Sequence, residues 1–281
     1  MPPPDRMLTT LRRAIDYVAA TPGRRGHLVH LQNCAEVMVV GDLHGHVPNF
    51  RAALEKAALA ANPGRHLVVQ ELVHGPFKYP DGTDKSHQLV DLFAALKCQF
   101  PDRVHYLPGN HEMAQWKGRK VGKGTDDLNA QFSLGVRAAY GSAAVDIYRA
   151  YTDLFTALPL ALRTPNRVFI THTLVPGKQL DNFDPASLEA EEYAPQEYEP
   201  GGLVYGILWG RDVSAATAVA FLDKVDADLS VTGHIANDAG YHVPNDRQLI
   251  VECSESPGGY VLFPTDRPLT HAELVACVGT I

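Results

Sequence analysis

The chain has 281 residues, of which 45% are hydrophobic and 20% are charged, and this composition excludes disordered and fibrous proteins. The formal net charge of −7 argues against binding to nucleic acid or to an anionic membrane surface. No apolar run approaches the roughly 20 residues that span a bilayer, and the N-terminus carries no secretory core, so we expect a cytoplasmic protein. The 4 cysteines have neither metal-ligand nor disulfide spacing and are expected to be reduced.

The first half of the chain alternates predicted strands and helices. Residues 8–20 carry apolar side chains at helical intervals and predict an N-terminal helix that stops at Thr21-Pro22-Gly23. Three short apolar strands and two helices then alternate, in the order 36–40, 49–61, 66–69, 86–98 and 104–107. In such a βαβαβ unit, polar residues that follow the strands meet at one edge of a parallel sheet. We therefore expect a functional site at that edge.

The second half is less regular. Strands are predicted at 167–170, 227–231, 248–252 and 259–263. The first two lead into His172 and His234, so two more strands end next to a histidine. Residues 181–200 hold many Asp and Glu side chains and are predicted to form a solvated loop.

Six side chains that bind hard or borderline metal ions follow these strands: Asp42, His44, Glu71, Asn110, His172 and His234. Imidazole nitrogens with carboxylate and amide oxygens, and no thiolate among them, suit Mn, Fe, Zn or Mg. Two metal ions that share one bridging carboxylate lie about 3.5–4 Å apart and hold both the attacking and the leaving oxygen of a displacement at phosphorus. A hydroxide between two such ions has a lowered pKa and is a competent nucleophile near neutral pH.

Four motifs carry a resemblance to a known family. They are Gly41-Asp42-Leu43-His44-Gly45, Gly109-Asn110-His111-Glu112, Phe169-Ile170-Thr171-His172 and Thr232-Gly233-His234. With these motifs the chain resembles the calcineurin-like metallophosphoesterase superfamily over about residues 36–263, and most closely its phosphoprotein (Ser/Thr) phosphatase branch. The resemblance implies an α/β fold, a four-layer α/β/β/α sandwich in which two mixed sheets are flanked by helices.

The resemblance also implies a role for each site residue. The metal ligands would be Asp42 and His44 for the first ion, Asn110, His172 and His234 for the second, and Glu71 as the bridge between them. His111 would be the general acid that protonates the leaving oxygen. Arg211, in Leu208-Trp209-Gly210-Arg211-Asp212, would bind the substrate phosphate.

The middle motif departs from the family pattern Gly-Asp-x-x-Asp-Arg-Gly. Here Glu71 stands for the bridging Asp, His74 stands for the second Asp that usually orients the acid, and no Arg follows. The extra methylene of Glu71 requires the backbone to retreat by one C–C bond if the carboxylate is to bridge. The sequence indicates no new partner for His111, since His74 is interpreted as a surface or packing histidine. Arg211 is a candidate for compensating positive charge. A glycine-interrupted basic loop with Lys117, Arg119, Lys120 and Lys123 is interpreted as a solvated turn, with substrate contact as the alternative.

The domain prediction is simple. We expect the metallophosphoesterase domain at 36–264, an N-terminal helix and lead-in at 1–35, and a C-terminal extension at 265–281. The acidic loop 181–200 belongs to the domain.

The resemblance implies a metal-dependent phosphatase of the Ser/Thr protein phosphatase type, with a metal-bridging hydroxide as nucleophile. Its cofactors would be two divalent metal ions, with Mn favoured, and its partner a phosphorylated protein or peptide. Two alternatives stay open. One is hydrolysis of diadenosine polyphosphates or another small phosphoester, because a related branch also lacks the second Asp. The other is a metal-binding pseudophosphatase that recognises phosphorylated partners without turnover, because the second Asp and the Arg are both absent.

Overall fold

The computed structural model describes residues 2–121 and 127–281. Within these residues the chain forms 12 strands and 10 α-helices. The strands are β1 (Arg24–Arg25), β2 (Leu28–His30), β3 (Glu36–Asp42), β4 (Arg65–Gln70), β5 (Val104–Leu107), β6 (Ala161–Arg163), β7 (Val168–Thr171), β8 (Leu229–Thr232), β9 (Tyr241–His242), β10 (Gln248–Val251), β11 (Gly259–Pro264) and β12 (Val278–Thr280). The helices are α1 (Pro4–Ala19), α2 (Val47–Ala57), α3 (His87–Gln99), α4 (Asn110–Lys117), α5 (Leu128–Tyr140), α6 (Ala144–Ala157), α7 (Gly177–Leu180), α8 (Leu203–Trp209), α9 (Ala215–Lys224) and α10 (His271–Ala276).

The strands form two mixed sheets. One has five strands in the order β12-β11-β3-β4-β5, in which β3, β4 and β5 run parallel. The other has seven strands in the order β1-β2-β6-β7-β8-β10-β9, in which β7, β8 and β10 run parallel. The parallel strands that the sequence predicts in each half of the chain therefore lie in different sheets.

The two sheets pack face to face, and helices cover both outer faces. Along β3, Val37 and Val39 lie in the core between the sheets, whereas Met38 and Val40 lie in the core under the helices. Both faces of the strand are buried, which explains why its sequence is continuously apolar rather than alternating. Helices α1, α2, α3, α5 and α6 cover the five-stranded sheet, and α8 and α9 cover the other. The predicted α/β/β/α sandwich is confirmed.

The helices bury their apolar faces against the rest of the protein. In α1, Met7, Leu11, Ala14 and Val18 are buried at intervals of four, three and four residues, and the helix packs against α3 and α6. It begins four residues before its predicted start. Helices α5 and α6 lie in a stretch to which the sequence analysis assigns no element.

The acidic stretch and the C-terminal residues have defined structure. Residues 181–200 contain two 3-10 turns, Pro185–Glu189 and Pro195–Tyr198, in place of the plain loop that was predicted. Residues 265–281 contribute α10 and β12, and β12 pairs with β11 as an edge strand. Among the described residues, none of the helices combines the length and the apolar character needed to cross a membrane.

A buried carboxylate joins three helices of the covering layer. Asp91 on α3 accepts hydrogen bonds from the hydroxyls of Tyr140 on α5, at 2.5 Å, and Tyr151 on α6, at 2.6 Å. A buried carboxylate that loses a donor keeps the full cost of its desolvation. The pair of tyrosines therefore fixes α5 and α6 against α3.

We predict that Tyr151→Phe lowers the free energy of unfolding by about 1–3 kcal/mol, because Asp91 loses one of its two donors. Urea unfolding followed by circular dichroism measures this. Tyr17→Phe is the matched control, since the Tyr17 hydroxyl only accepts a long surface bond from Arg13 at 3.4 Å. Equal effects of the two substitutions would contradict the role given to Asp91.

Candidate metal centre

Five strand ends of the two sheets meet at one edge of the molecule. Asp42 ends β3, Glu71 follows β4, and Asn110 follows β5 as the first residue of α4. From the other sheet, His172 follows β7 and His234 follows β8. All five residues are buried. The carboxyl ends of parallel strands from both sheets therefore place these polar side chains together.

The carboxylate of Glu71 lies between imidazoles of both sheets. Its Oε2 is 3.2 Å from Nε2 of His44 and 3.7 Å from Nε2 of His172. Its Oε1 accepts the backbone N–H of His111 at 2.9 Å. Two groups of side chains have ligand atoms close enough to hold a metal ion, and both contain Glu71: one with His44 and His111, the other with His172 and His234.

The hydrogen bonds of His44 fix which ring nitrogen faces Glu71. Nδ1 lies 2.9 Å from the carbonyl oxygen of Val73, which only accepts, so Nδ1 carries a hydrogen. Nε2 then points a lone pair at a carboxylate oxygen unless a proton or a cation lies between them. Burial alone would lower the pKa of His44, but the charges of Glu71 and Asp42 raise it to about 10. The centre therefore attracts positive charge to this position.

Further polar atoms at the centre lack partners. Oδ1 of Asp42, Nδ1 of His172 and Nε2 of His234 are buried and make no hydrogen bond among the described residues. Each such atom costs about 1–3 kcal/mol in a folded protein. Burial lowers the pKa of His172 to about 4 and that of His234 to about 3, so both imidazoles are neutral, as metal ligation requires. The donor set, with the unsatisfied Oδ1 of Asp42, fits divalent metal ions.

The backbone at the centre is strained. His44, Glu71, His74 and His234 have positive φ angles of 39°, 38°, 64° and 69°. Residues with side chains rarely adopt this conformation, which costs about 1–3 kcal/mol at each position. The room for the longer Glu71 side chain comes from Gly109, because a Cβ atom there would overlap Oε1 of Glu71. The turn after β4 and this glycine together allow the carboxylate to lie between His44 and His172.

His74 is the partner of His111, and the interpretation of His74 as a surface or packing histidine is wrong. His74 is buried, and its Nδ1 lies 2.9 Å from Nδ1 of His111. The position that carries the second Asp in the family pattern thus still contacts the predicted acid, but with an imidazole. The sequence signal for this was the alignment of His74 with that Asp.

Neighbouring side chains settle how the two imidazoles share their hydrogens. The amide nitrogen of Gln115 lies 2.6 Å from the hydroxyl of Tyr148 and 3.5 Å from the carbonyl of Asn129, so its Oε1 faces His74, 2.8 Å from Nε2. Nε2 of His74 therefore donates, and its Nδ1 accepts from Nδ1 of His111. Nε2 of His111 is left for other partners. Burial lowers the pKa of His111 to about 3, so this imidazole pair is neutral.

A cavity of about 490 Å³ opens onto the centre. Its lining includes His44, Glu71, Asn110, His111, His234 and Arg211, together with His74, Lys78, Ser254 and Glu255. The charge of Arg211 contributes, after burial, to the lowered pKa of His172 and His234, so the guanidinium lies near those two imidazoles. The sequence did not identify four of these lining residues as part of the site, namely His74, Lys78, Ser254 and Glu255. Ser254 and Glu255 come shortly after β10, and the rule that site residues follow strands pointed to them.

The basic loop makes other contacts. Arg119 pairs with Glu199 and lies over the ring of Tyr205, and the ammonium of Lys117 lies 3.9 Å from the ring centre of Tyr198. Neither residue lines the cavity. Lys123 is outside the described residues. Lys117 and Arg119 therefore do not supply the alternative of charge at the cavity, whose lining includes Arg211 and Lys78.

Comparison with known proteins agrees with this geometry. The chain is 27% identical over 268 residues to a probable serine/threonine-protein phosphatase of Encephalitozoon cuniculi, with 84% of this chain and 52% of the relative covered. The chain thus spans about half the length of the curated relative it matches. The structure of a Saccharomyces cerevisiae protein serine/threonine phosphatase with similarity to human phosphatase PP5 superposes with a TM-score of 0.68 at 17% identity, over 93% of this chain and 83% of that one. This second likeness establishes the shared fold.

The family model of the calcineurin-like phosphoesterases matches residues 35–238, which is well over half of the chain and includes all six predicted metal ligands and His111. Family and fold thus agree. The chain belongs to the calcineurin-like phosphoesterase family.

Proposed function

We propose that this protein is a phosphatase of the Ser/Thr protein phosphatase type, which hydrolyses phosphate monoesters with two divalent metal ions. The observation that carries the proposal is the position of Glu71. Its carboxylate belongs to both groups of candidate ligands, one with His44 and His111 and the other with His172 and His234. Two-metal hydrolysis of phosphoesters needs one carboxylate in this place.

The ligands divide between the two sides of Glu71. Asp42 and His44 would hold one ion, and this is supported by the unpartnered Oδ1 of Asp42 and the lone pair on Nε2 of His44. On the other side, Nε2 of His172 lies 3.4 Å from Oδ1 of Asn110 and 3.2 Å from Nδ1 of His234. Asn110, His172 and His234 would hold the second ion. Manganese is the metal we favour, since this mixture of imidazole and oxygen ligands suits it.

The side chains around the ions divide the remaining tasks. The bound ions would supply Lewis acidity to the phosphoryl group and to the attacking water. His111 protonates the leaving oxygen through Nε2, the ring nitrogen that its hydrogen bond to His74 leaves open. The imidazole is neutral without substrate, and a dianionic phosphate raises its affinity for a proton as it binds. Arg211, beside His172 and His234, binds the phosphate oxygens.

Phosphoserine or phosphothreonine in a protein is the substrate class that we propose. The name of the Encephalitozoon relative supports it, and the cavity of about 490 Å³ has room for a phosphorylated side chain. Neither of these observations distinguishes turnover from binding alone, so the first experiment addresses turnover.

We predict that the purified protein with Mn²⁺ hydrolyses an aryl phosphate and that Asp42→Asn lowers kcat/KM by at least about a hundredfold, because a metal ligand is weakened. Asp153→Asn, on the exposed face of α6, is the matched control and should keep full activity. Absence of turnover in a wild-type protein that binds two ions per chain would contradict the enzyme and identify a pseudophosphatase.

We predict that Gln115→Leu slows hydrolysis of phosphoserine peptides by about tenfold or more but affects p-nitrophenyl phosphate much less. Without the acceptor for its Nε2–H, His74 no longer orients His111, and only a poor leaving group depends on the acid. Steady-state kinetics with both substrates gives the ratio. Gln131→Leu on α5 is the control, because that side chain makes no hydrogen bond among the described residues. An equal loss with both substrates would show that the chain His111-His74-Gln115 does not serve the acid.

A further inference from the structure

A short hairpin beside the candidate metal centre carries a cationic residue, Lys78, at a position whose backbone is held by hydrogen bonds. In residues 77–85, the N–H of Tyr79 donates to the carbonyl of Thr83 at 2.7 Å, and the N–H of Lys85 donates to the carbonyl of Phe77 at 3.0 Å. Lys78 and Asp84 pair across the hairpin as a β-bridge. The backbone of Lys78 is therefore held by hydrogen bonds on both sides.

The ammonium of Lys78 lies near a buried carboxylate but does not form a hydrogen bond with it. Its Nζ lies 4.0 Å from Oδ2 of Asp84, which is completely buried and makes no hydrogen bond among the described residues. The other carboxylate oxygen, Oδ1, accepts the N–H of Ser86 at 2.7 Å. The ammonium is attracted by a desolvated charge, yet its three hydrogens make no hydrogen bond in the part of the chain that the structure describes. They are available to a ligand.

The hairpin is tied to the His111 side of the centre. Ser86, which binds Asp84, also accepts the backbone N–H of His74 at 2.9 Å through its Oγ. Lys78 lines the same cavity as His74 and His111. Arg211 lines that cavity too, but beside His172 and His234. Two cationic side chains, Lys78 and Arg211, therefore line the cavity, and Lys78 is the one whose hairpin is tied to His74.

The two cationic side chains, Lys78 and Arg211, would have different tasks in phosphoester hydrolysis. In the proposed function His111 protonates the leaving oxygen, so the departing part of the substrate would lie on the side of His111, where His74 and Lys78 line the cavity. The transferred phosphoryl group would lie over the candidate metal ligands, where Arg211 is proposed to bind its oxygens. A cation on the leaving-group side does not neutralise a phosphoryl oxygen. It is placed to contact the peptide to which the leaving oxygen belongs.

We propose that Lys78 binds an acidic side chain that neighbours the phosphorylated residue of a peptide substrate, and that Asp84 is the positioning residue that holds the ammonium there. The inference rests on the proposed function and adds a specificity to it. The enzyme is expected to select phosphoserine or phosphothreonine with Glu or Asp next to it in the peptide. The structure gives Lys78 the place, the free hydrogens and the charge for this contact.

Two phosphoserine peptides test the proposal; they differ only in having Glu or Gln at both positions next to the phosphorylated residue. With the wild-type protein and Mn²⁺, the KM for the Glu peptide is expected to be about tenfold lower, which is the effect of one charge-assisted hydrogen bond. Lys78→Met should raise the KM of the Glu peptide to that of the Gln peptide, and Lys78→Arg should keep most of the difference. Asp84→Asn should reduce the difference in KM between the two peptides. The melting temperature of this variant is measured to confirm that it folds.

Lys85→Met is the matched control, because Lys85 is in the same hairpin but its ammonium lies over the Tyr79 ring and does not line the cavity. It should leave the preference for Glu intact. Equal KM values for both peptides with the wild-type protein would overturn the proposal while leaving the phosphatase standing. So would a Lys78→Met effect confined to diadenosine tetraphosphate, which would assign Lys78 to a phosphate chain instead. Failure to hydrolyse either peptide or an aryl phosphate would overturn the proposed function itself.

Discussion

A single buried carboxylate, that of Glu71, organises the site. It is held between imidazoles from the two sides of the site, and its charge and that of Asp42 raise the pKa of His44 to about 10, so the centre attracts positive charge. Among the described residues, Oδ1 of Asp42 is buried without a hydrogen-bond partner. Burial and then repulsion from Glu71 raise the pKa of Asp42 well above its usual range. These costs are large for a folded protein, and bound cations remove them together.

The fold accommodates this arrangement through backbone strain and missing side chains. His44 and Glu71 take left-handed conformations at the turns after β3 and β4, and Gly109 leaves space for the carboxylate. Such strain persists only where the surrounding structure determines the conformation. Here the two packed sheets supply that rigidity, because the site residues follow strands whose both faces are buried. The longer side chain at position 71 is thus compatible with a bridging role.

The sequence predicted the parts of this structure that depend on local pattern. Strand ends and motif order were enough to place Asp42, Asn110, His172 and His234 at one edge, because parallel strands deliver their ends together. Helices α5 and α6 were not predicted, although their apolar faces are regular, because this stretch of the sequence contains none of the four family motifs.

The role of His74 could not be read from the sequence. Its contact with His111 depends on the turn after β4 and on Gln115 from another element, so residue type alone favoured a packing histidine. Lys78 was missed for a similar reason, since its position depends on a hairpin that pairs it with Asp84. The segment from Gln70 to Pro76 nevertheless keeps two functions of the family pattern with different residues. A glutamate takes the place of the bridging aspartate, and an imidazole takes the place of the carboxylate beside the acid.

The central claim is that Glu71 lies between two metal ions. Anomalous diffraction from crystals grown with Mn²⁺ tests it most directly. The account predicts two peaks about 3.5–4 Å apart, one on each side of the Glu71 carboxylate. The first should contact Asp42 and His44, and the second should contact Asn110, His172 and His234. A single peak, or two peaks of which one does not touch Glu71, would contradict it.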